Sequence, residues 1–182
     1  MLSAEVANRY AAGLFQLAKE KNIVDQIAEE IKAIGQVCRT DRAFLNFLAA
    51  PQIREQEKEE VLHSVFKGRV SPPVMTFLDL IIGKRRSAHL VEIAEKFNDL
   101  VLDSRGFVKT RVVTAVPLGD KEAEALKQKL EKKTGKKILM TKKVDPAILG
   151  GVIVYLGNQV IDKSIKYQLA LLREKLHDLK VN

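Results

Sequence analysis

Tryptophan is absent from this 182-residue chain, cysteine occurs once, histidine three times, and aromatic residues make up only 5%. A lone cysteine cannot close a disulfide within the chain, which fits a reducing compartment. His63, His89 and His177 fall far apart on helical stretches and, with one thiol, make a poor metal-ligand set. Cys38 ends an apolar helical stretch and has neither a base nor an orienting group beside it, so it reads as a small buried thiol rather than a nucleophile. No phosphate-cradling loop pattern surrounds Gly150-Gly151. Glu55, Glu57, Glu59 and Glu60 form a charged helix face, not an acid/base pair. No apolar run approaches the roughly 20 residues of a bilayer span, and Glu5 and Arg9 interrupt the N-terminus before a signal-peptide core forms. These absences argue against catalysis, a metal, a cofactor and transmembrane insertion.

What is present changes character near residue 105. Residues 1–105 carry 15 Lys+Arg and 15 Asp+Glu, whereas residues 106–182 carry 16 against 8, which is the whole net charge of +8. At the same place Ser104-Arg105-Gly106 ends a helical region and β-branched alternation begins. Two small domains follow, 1–105 and 106–182, each with a modest core. Their different electrostatics suggest different partners.

Six helical stretches are legible before residue 106. Ser3 is placed to cap the first, to about Asn22, and Ile23, Ile27, Ile31 and Ile34 mark the second. Thr40 or Asp41 caps a short third helix that Pro51 closes, and a charged fourth runs from about Arg54 to Phe66. Ser71 and Pro72 start a fifth, which Gly83 breaks, and the sixth runs from Ser87 to about Asp103. Short loops between amphipathic helices predict a compact bundle. The first and fifth helices carry apolar residues around far more of their circumference than the ~100° stripe a bundle helix needs. Either both are buried nearly all round, or they lie side by side and leave an apolar groove for a partner helix. Ala11, Ala12 and Gly13 would permit close backbone approach.

After residue 106 the pattern is a strand near 108–117, a helix opened by Gly119-Asp120 and closed by Gly135, and a strand from Ile138 to Val144. Gly150-Gly151 precede the strongest strand, Val152–Leu156, and Gly157-Asn158 turn the chain toward Val160 and Ile161. Asp162 is the stronger cap candidate for a last helix, ahead of Ser164, and Ile165, Leu169, Leu172 and Leu176 form its apolar seam. The fold class is therefore an all-α N-terminal six-helix bundle followed by a small α+β domain. Lysines concentrate at Lys127, Lys129, Lys132, Lys133, Lys136, Lys137, Lys142 and Lys143. Such a run is either a solvated face or an attractor of acidic protein, lipid head groups or nucleic acid. Nucleic acid is disfavoured, because arginines are few in the second domain and no aromatics interleave with the lysines.

Two blocks resemble a known family. Ala7, Arg9-Tyr10-Ala11, Leu14-Phe15 and Ala18 form one; Val144-Asp145-Pro146, Leu149-Gly150-Gly151, Ile161-Asp162, Ser164, Gln168-Leu169 and Leu172 form the other, longer and more specific. Phe77-Leu78, Leu80-Ile81, Arg86, Leu90, Ile93 and Phe97 match more loosely. Over essentially its full length the chain resembles the delta subunit of bacterial F-type ATP synthases, the relative of the mitochondrial oligomycin-sensitivity-conferring protein. The resemblance implies a non-catalytic peripheral-stalk subunit at the cytoplasmic face of the bacterial membrane. Its helical domain would receive an N-terminal helix of an alpha subunit on the alpha/beta head, in a groove built mainly by the first and fifth helices. Tyr10, Leu14, Phe15, Phe77, Leu78 and Ile81 are the candidates for that groove. The second domain would engage the peripheral-stalk b subunits, with its positive charge suited to an acidic partner. The rival reading is an adaptor that grips nucleic acid through the Lys-rich domain.

Overall fold

Apolar residues three and four apart set the first half of the molecule. A computed structural model describes the backbone of residues 2–157 and 159–180 and the side chains of 4–157 and 159–173. It resolves two compact units, Met1–Val101 and Leu102–Asn182.

The first unit consists of α1 (Leu2–Glu20), α2 (Val24–Thr40), α3 (Arg42–Ala49), α4 (Glu55–Phe66), α5 (Pro72–Gly83) and α6 (Leu90–Ser104), with a 3-10 turn at Ser87–His89 before the last. One core runs through all six, from Ala7, Ala11 and Leu14 on α1 to Ile93, Phe97 and Val101 on α6. Ile27, Ile31, Ile34 and Cys38 put the buried edge of α2 on one stripe, as a 3.6-residue period requires. Gly35 lies on that stripe, and a Cβ there would sit 2.9 Å from the Ala94 Cβ of α6. Phe15 packs edge-on against Phe97, with ring centroids 6.1 Å apart.

The caps differ in part from the sequence reading. α1 begins at Leu2, so Ser3 already lies within the helix and is not its cap. Asp41 does cap α3, its Oδ1 accepting from the Phe44 N–H at 2.9 Å. Ser71 stands at the start of α5 but makes no side-chain cap bond. Its N–H and hydroxyl instead donate to Glu30 Oε2 on α2, at 2.9 and 2.7 Å, tying two helices together. Gly83 remains helical, and the chain turns at Arg85, whose φ of 55° is left-handed. Arg86 N–H donating to Ile81 O at 2.9 Å closes that end.

The helical region ends at Ser104 and the first strand begins at Phe107, with the second compact unit taking in the last turn of α6. Contacts of that turn and the residues after it run within the second unit: Asp103 pairs with Lys136, and Gly106 O accepts from the Lys137 N–H at 2.8 Å. That unit contains β1 (Phe107–Thr114), α7 (Asp120–Thr134), β2 (Lys137–Val144), a 3-10 turn at Pro146–Ile148, β3 (Gly151–Leu156), β4 (Gln159–Ser164) and α8 (Ile165–Lys180). The sheet order is β2-β1-β3-β4. β1 and β2 run parallel, joined through α7, and the other pairs are antiparallel. The core of Val112, Leu130, Ile138, Val154 and Leu156 seals one sheet face against α7.

Gly151 has φ of 77°, and a Cβ there would run into the Lys163 carbonyl of β4. Glycine at this point therefore serves both the bend and the close strand contact. At the far end of the same strand pair, opposite Leu156, the Thr110 hydroxyl of β1 is buried with no partner among the described residues. Gly151→Ala should thus destabilise the second unit by more than about 2 kcal/mol, the left-handed penalty plus a backbone clash. Thr110→Val, which keeps the shape and removes the orphan hydroxyl, should be neutral or stabilising by about 1 kcal/mol. Chemical denaturation of the two variants checks both signs.

Candidate functional site

The wide apolar arcs of α1 and α5 are mostly absorbed by the bundle. Leu14, Phe77, Leu78 and Ile81 are all buried core residues. They are unavailable to a partner while the bundle is closed, so for these four the all-round-burial alternative describes the free chain. Tyr10 and Phe15 are half-buried at the margin of the same core. Between them on the outer side of α1, Ala12 and Gly13 are exposed, while Ala11 is fully buried. A Cβ added to Gly13 would meet nothing within 4 Å. The free surface of α1 therefore carries a small-residue step at Ala12-Gly13, set among exposed Arg9 and Gln16 and flanked by Tyr10 and Phe15. α5 adds one exposed apolar residue, Leu80 at 47%. The sequence reading did not select it. Leu80 shares its helix face with Thr76 and Gly83, so an apolar residue amid polar positions was the available signal.

The second unit reverses expectation at α8. β4 extends to Ser164, so Asp162 is a strand residue and not the cap. Asp162 Oδ1 accepts from the Ser164 N–H at 2.8 Å, and the Ser164 hydroxyl accepts from the Tyr167 N–H at 3.2 Å. Ser164 thus caps α8, held in place by Asp162. The apolar seam faces solvent: Ile165, Leu169 and Leu172 are 46, 53 and 56% exposed. Only the first turn reaches back, Ile165 Cδ1 lying 2.6 Å from where a Gly150 Cβ would stand. The side chain of Leu176 lies outside the described residues. With α7 closing that core, the described residues of α8 beyond its first turn keep an exposed apolar stripe.

The lysines divide into engaged and solvated groups. Lys136 pairs with Asp103, Lys142 with Asp120 at 3.1 Å, and Lys127 reaches Glu124 at 4.0 Å. On the sheet face away from α7, cross-strand partners form cation–π pairs: Arg111 lies 4.3 Å from the Tyr155 ring centroid and Lys137 5.7 Å from that of Phe107. A cation already lies over each of these rings, which leaves a poor platform for stacked bases. Lys129, Lys132, Lys133 and Lys143 are exposed, a solvated positive field with no ion pair among the described residues.

The residues weighed for chemistry have structural partners. His63 Nε2 and Asp79 Oδ1 lie 2.8 Å apart and join α4 to α5. Cys38 is fully buried, and burial, with the nearby Asp41 carboxylate adding to it, pushes its thiol up to about 11.

Comparison with known proteins follows the same full-length pattern. The family described as ATP synthase delta (OSCP) subunit matches residues 6–176. The ATP synthase subunit delta of Symbiobacterium thermophilum is 36% identical over 182 residues, covering 100% of this chain and 98% of that protein. That of Desulforamulus reducens is 35% identical over 176 residues, covering 97% of each. Among solved structures, a chain of the Toxoplasma gondii mitochondrial ATP synthase hexamer superposes with a TM-score of 0.72 over 93% of this chain and 96% of its own. At 21% identity this likeness speaks to the fold alone.

Two predictions arise from this burial pattern. Leu78→Ala should cost about 2–5 kcal/mol, whereas Leu80→Ala should leave melting essentially unchanged; calorimetric melting of both separates core from surface. Cys38 binds its proton more tightly folded than unfolded, so folding stability is full below about pH 9 and declines as pH rises toward about 11. Alkylation of the native protein at pH 8 should accordingly stay at background and appear only on unfolding, as mass spectrometry would read directly.

Proposed function

The chain belongs to the ATP synthase delta (OSCP) subunit family, and on that footing we propose that it is the non-catalytic stator connector of a rotary proton-translocating ATP synthase. It holds the alpha/beta head to the b subunits of the peripheral stalk, at the cytoplasmic face of the membrane, so that the head does not turn with the shaft. Such a part needs two attachments that survive tension and no chemistry between them.

The observation that carries this reading is the uncovered stripe Ile165, Leu169 and Leu172 on α8. An apolar helix face open to water, in a unit whose core is complete without it, favours burial against another helix at roughly 25 cal/mol per Å² before ordering costs. The b subunits are the proposed occupant. The lysines around α7 would speed and orient that docking more than they tighten it. The head contact is assigned to α1: Tyr10 and Phe15 flank the Ala12-Gly13 step on which an alpha-subunit N-terminal helix would lie. Leu14, Phe77, Leu78 and Ile81 would support that surface from beneath, as core residues.

The test titrates the full chain, by calorimetry and backbone NMR, with two peptides from the same organism: the N-terminal segment of the alpha subunit and the C-terminal segment of the b subunit. Each should bind 1:1, the first shifting α1 and the second α8. Leu169→Glu, at an exposed position, should leave melting unchanged and weaken the b peptide at least about tenfold, a loss of about 1.4 kcal/mol or more. Gly13→Leu should do the same to the alpha peptide alone. Failure of both peptides, with steeply salt-dependent binding to generic duplex DNA, would establish the nucleic-acid adaptor in its place.

A further inference from the structure

The second unit covers one face of its sheet with α7 and leaves much of the other open. Strand alternation puts Lys109 and Arg111 of β1 and Lys137 and Lys143 of β2 on the open face, all four exposed. Among the described residues the one carboxylate on that face is Asp162 of β4, and its Oδ1 already accepts from the Ser164 N–H. Four cations therefore stand against one committed anion.

Two of these cations are held in place. The Arg111 guanidinium lies 4.3 Å from the Tyr155 ring centroid and the Lys137 ammonium 5.7 Å from that of Phe107. A guanidinium resting on a ring keeps its N–H fork at the edge of the stack, where a carboxylate can take it bidentately. No ion pair joins Arg111, Lys137 or Lys143 to a carboxylate among the described residues.

A second, independent feature of the face is apolar. Leu139 lies opposite Lys109 and is 42% exposed; Val160 lies opposite Tyr155 and is 59% exposed. A sheet face built for water alone carries polar residues at such positions, and one built for its own core does not carry four cations. Exposed apolar side chains set among cations of one sign fit a protein partner that brings apolar groups and carboxylates together. Four strands span about 14 Å from first to last, close to the ~10–12 Å width of one helix. Helices cover sheet faces, whereas strands add at sheet edges. Nucleic acid fits less well, because the rings that would stack on bases already carry cations.

We propose that this open face docks one acidic amphipathic helix of a partner protein. The apolar side of that helix covers Leu139, Tyr155 and Val160, and its flanking carboxylates meet Arg111, Lys137 and Lys143. Arg111 is the anchor, since Tyr155 already restrains it and less side-chain freedom is lost on docking.

The test titrates the full chain, by calorimetry and backbone NMR, with a synthetic helical peptide of about 18 residues that carries one leucine stripe flanked by glutamates. An isomer of the same composition with the stripe scrambled serves as the charge-only control. The first peptide should bind 1:1, with shifts centred on Arg111, Leu139, Tyr155 and Val160, and should weaken as salt is raised. The isomer should bind at least about tenfold more weakly. Arg111→Glu should weaken the first peptide at least about tenfold. Lys143→Glu, at an exposed position, should weaken it by a smaller factor and gives the same reading if Arg111→Glu does not fold. No saturable binding at about 1 mM peptide, equal binding of the two isomers, or binding undiminished in both variants would overturn the proposal. So would shifts centred on α8, or tighter binding of a single-stranded DNA oligonucleotide at the same salt. None of these outcomes decides the alpha and b peptide titrations, which are read at α1 and α8.

Discussion

Gly35 lets α2 lie against Ala94 of α6 at a separation where a further methyl would overlap, and that close approach constrains the core the first unit shares. Once α2 and α6 are held so closely, Ile31, Ile34 and Cys38 face Ile93, Phe97 and Val101 across one continuous core. Phe97 is fully buried and receives the edge of Phe15, which fixes α1 against the same centre. Glu30, on the other side of α2, then gathers the start of α5 through the Ser71 backbone and hydroxyl. Each later element is anchored to a helix already fixed. Interiors packed to crystal density accept few alternatives, so the outward surface of α1 is set from within.

The two units divide their apolar surface differently, and partner binding would exploit that difference. α1 and α5 turn wide apolar arcs inward and expose only their margins. α8 has a narrower stripe and turns it outward. The first arrangement offers a shallow, small-residue step; the second offers a ridge of branched side chains. A helix arriving at the step gains from close approach, and one arriving at the ridge gains from area removed from water.

Much of this was legible in the chain. Helix spans followed from 3.6-residue periodicity, and the change at residues 104–106 followed from charge and β-branching, because both signals are local. Burial was less legible. That Leu14, Leu78 and Ile81 lie inside while Leu80 lies outside depends on which neighbours surround α5, and periodicity sees only the helix itself. The α8 seam was legible as an apolar stripe, but helical spacing does not say whether such a stripe meets its own sheet, and Ile165, Leu169 and Leu172 are exposed. Capping failed where tertiary partners competed. Ser71 has the right chemistry for a cap yet finds a charged acceptor on α2, and Asp162 holds Ser164 instead of starting the helix.

β1 lies in the middle of its sheet, and both of its neighbours come later in the chain. As the protein is synthesised, Phe107–Thr114 emerges with two unpaired edges and stays so until β2 and β3 have followed. The helical unit before it relies on contacts nearer in sequence and can close first. A nascent chain stalled before residue 137 would therefore present a finished bundle trailing an open strand, the state most prone to pair with another chain. The basic stretch from Lys127 to Lys137 is made during that interval, and like-charge repulsion between chains would keep such strands apart until the sheet is complete.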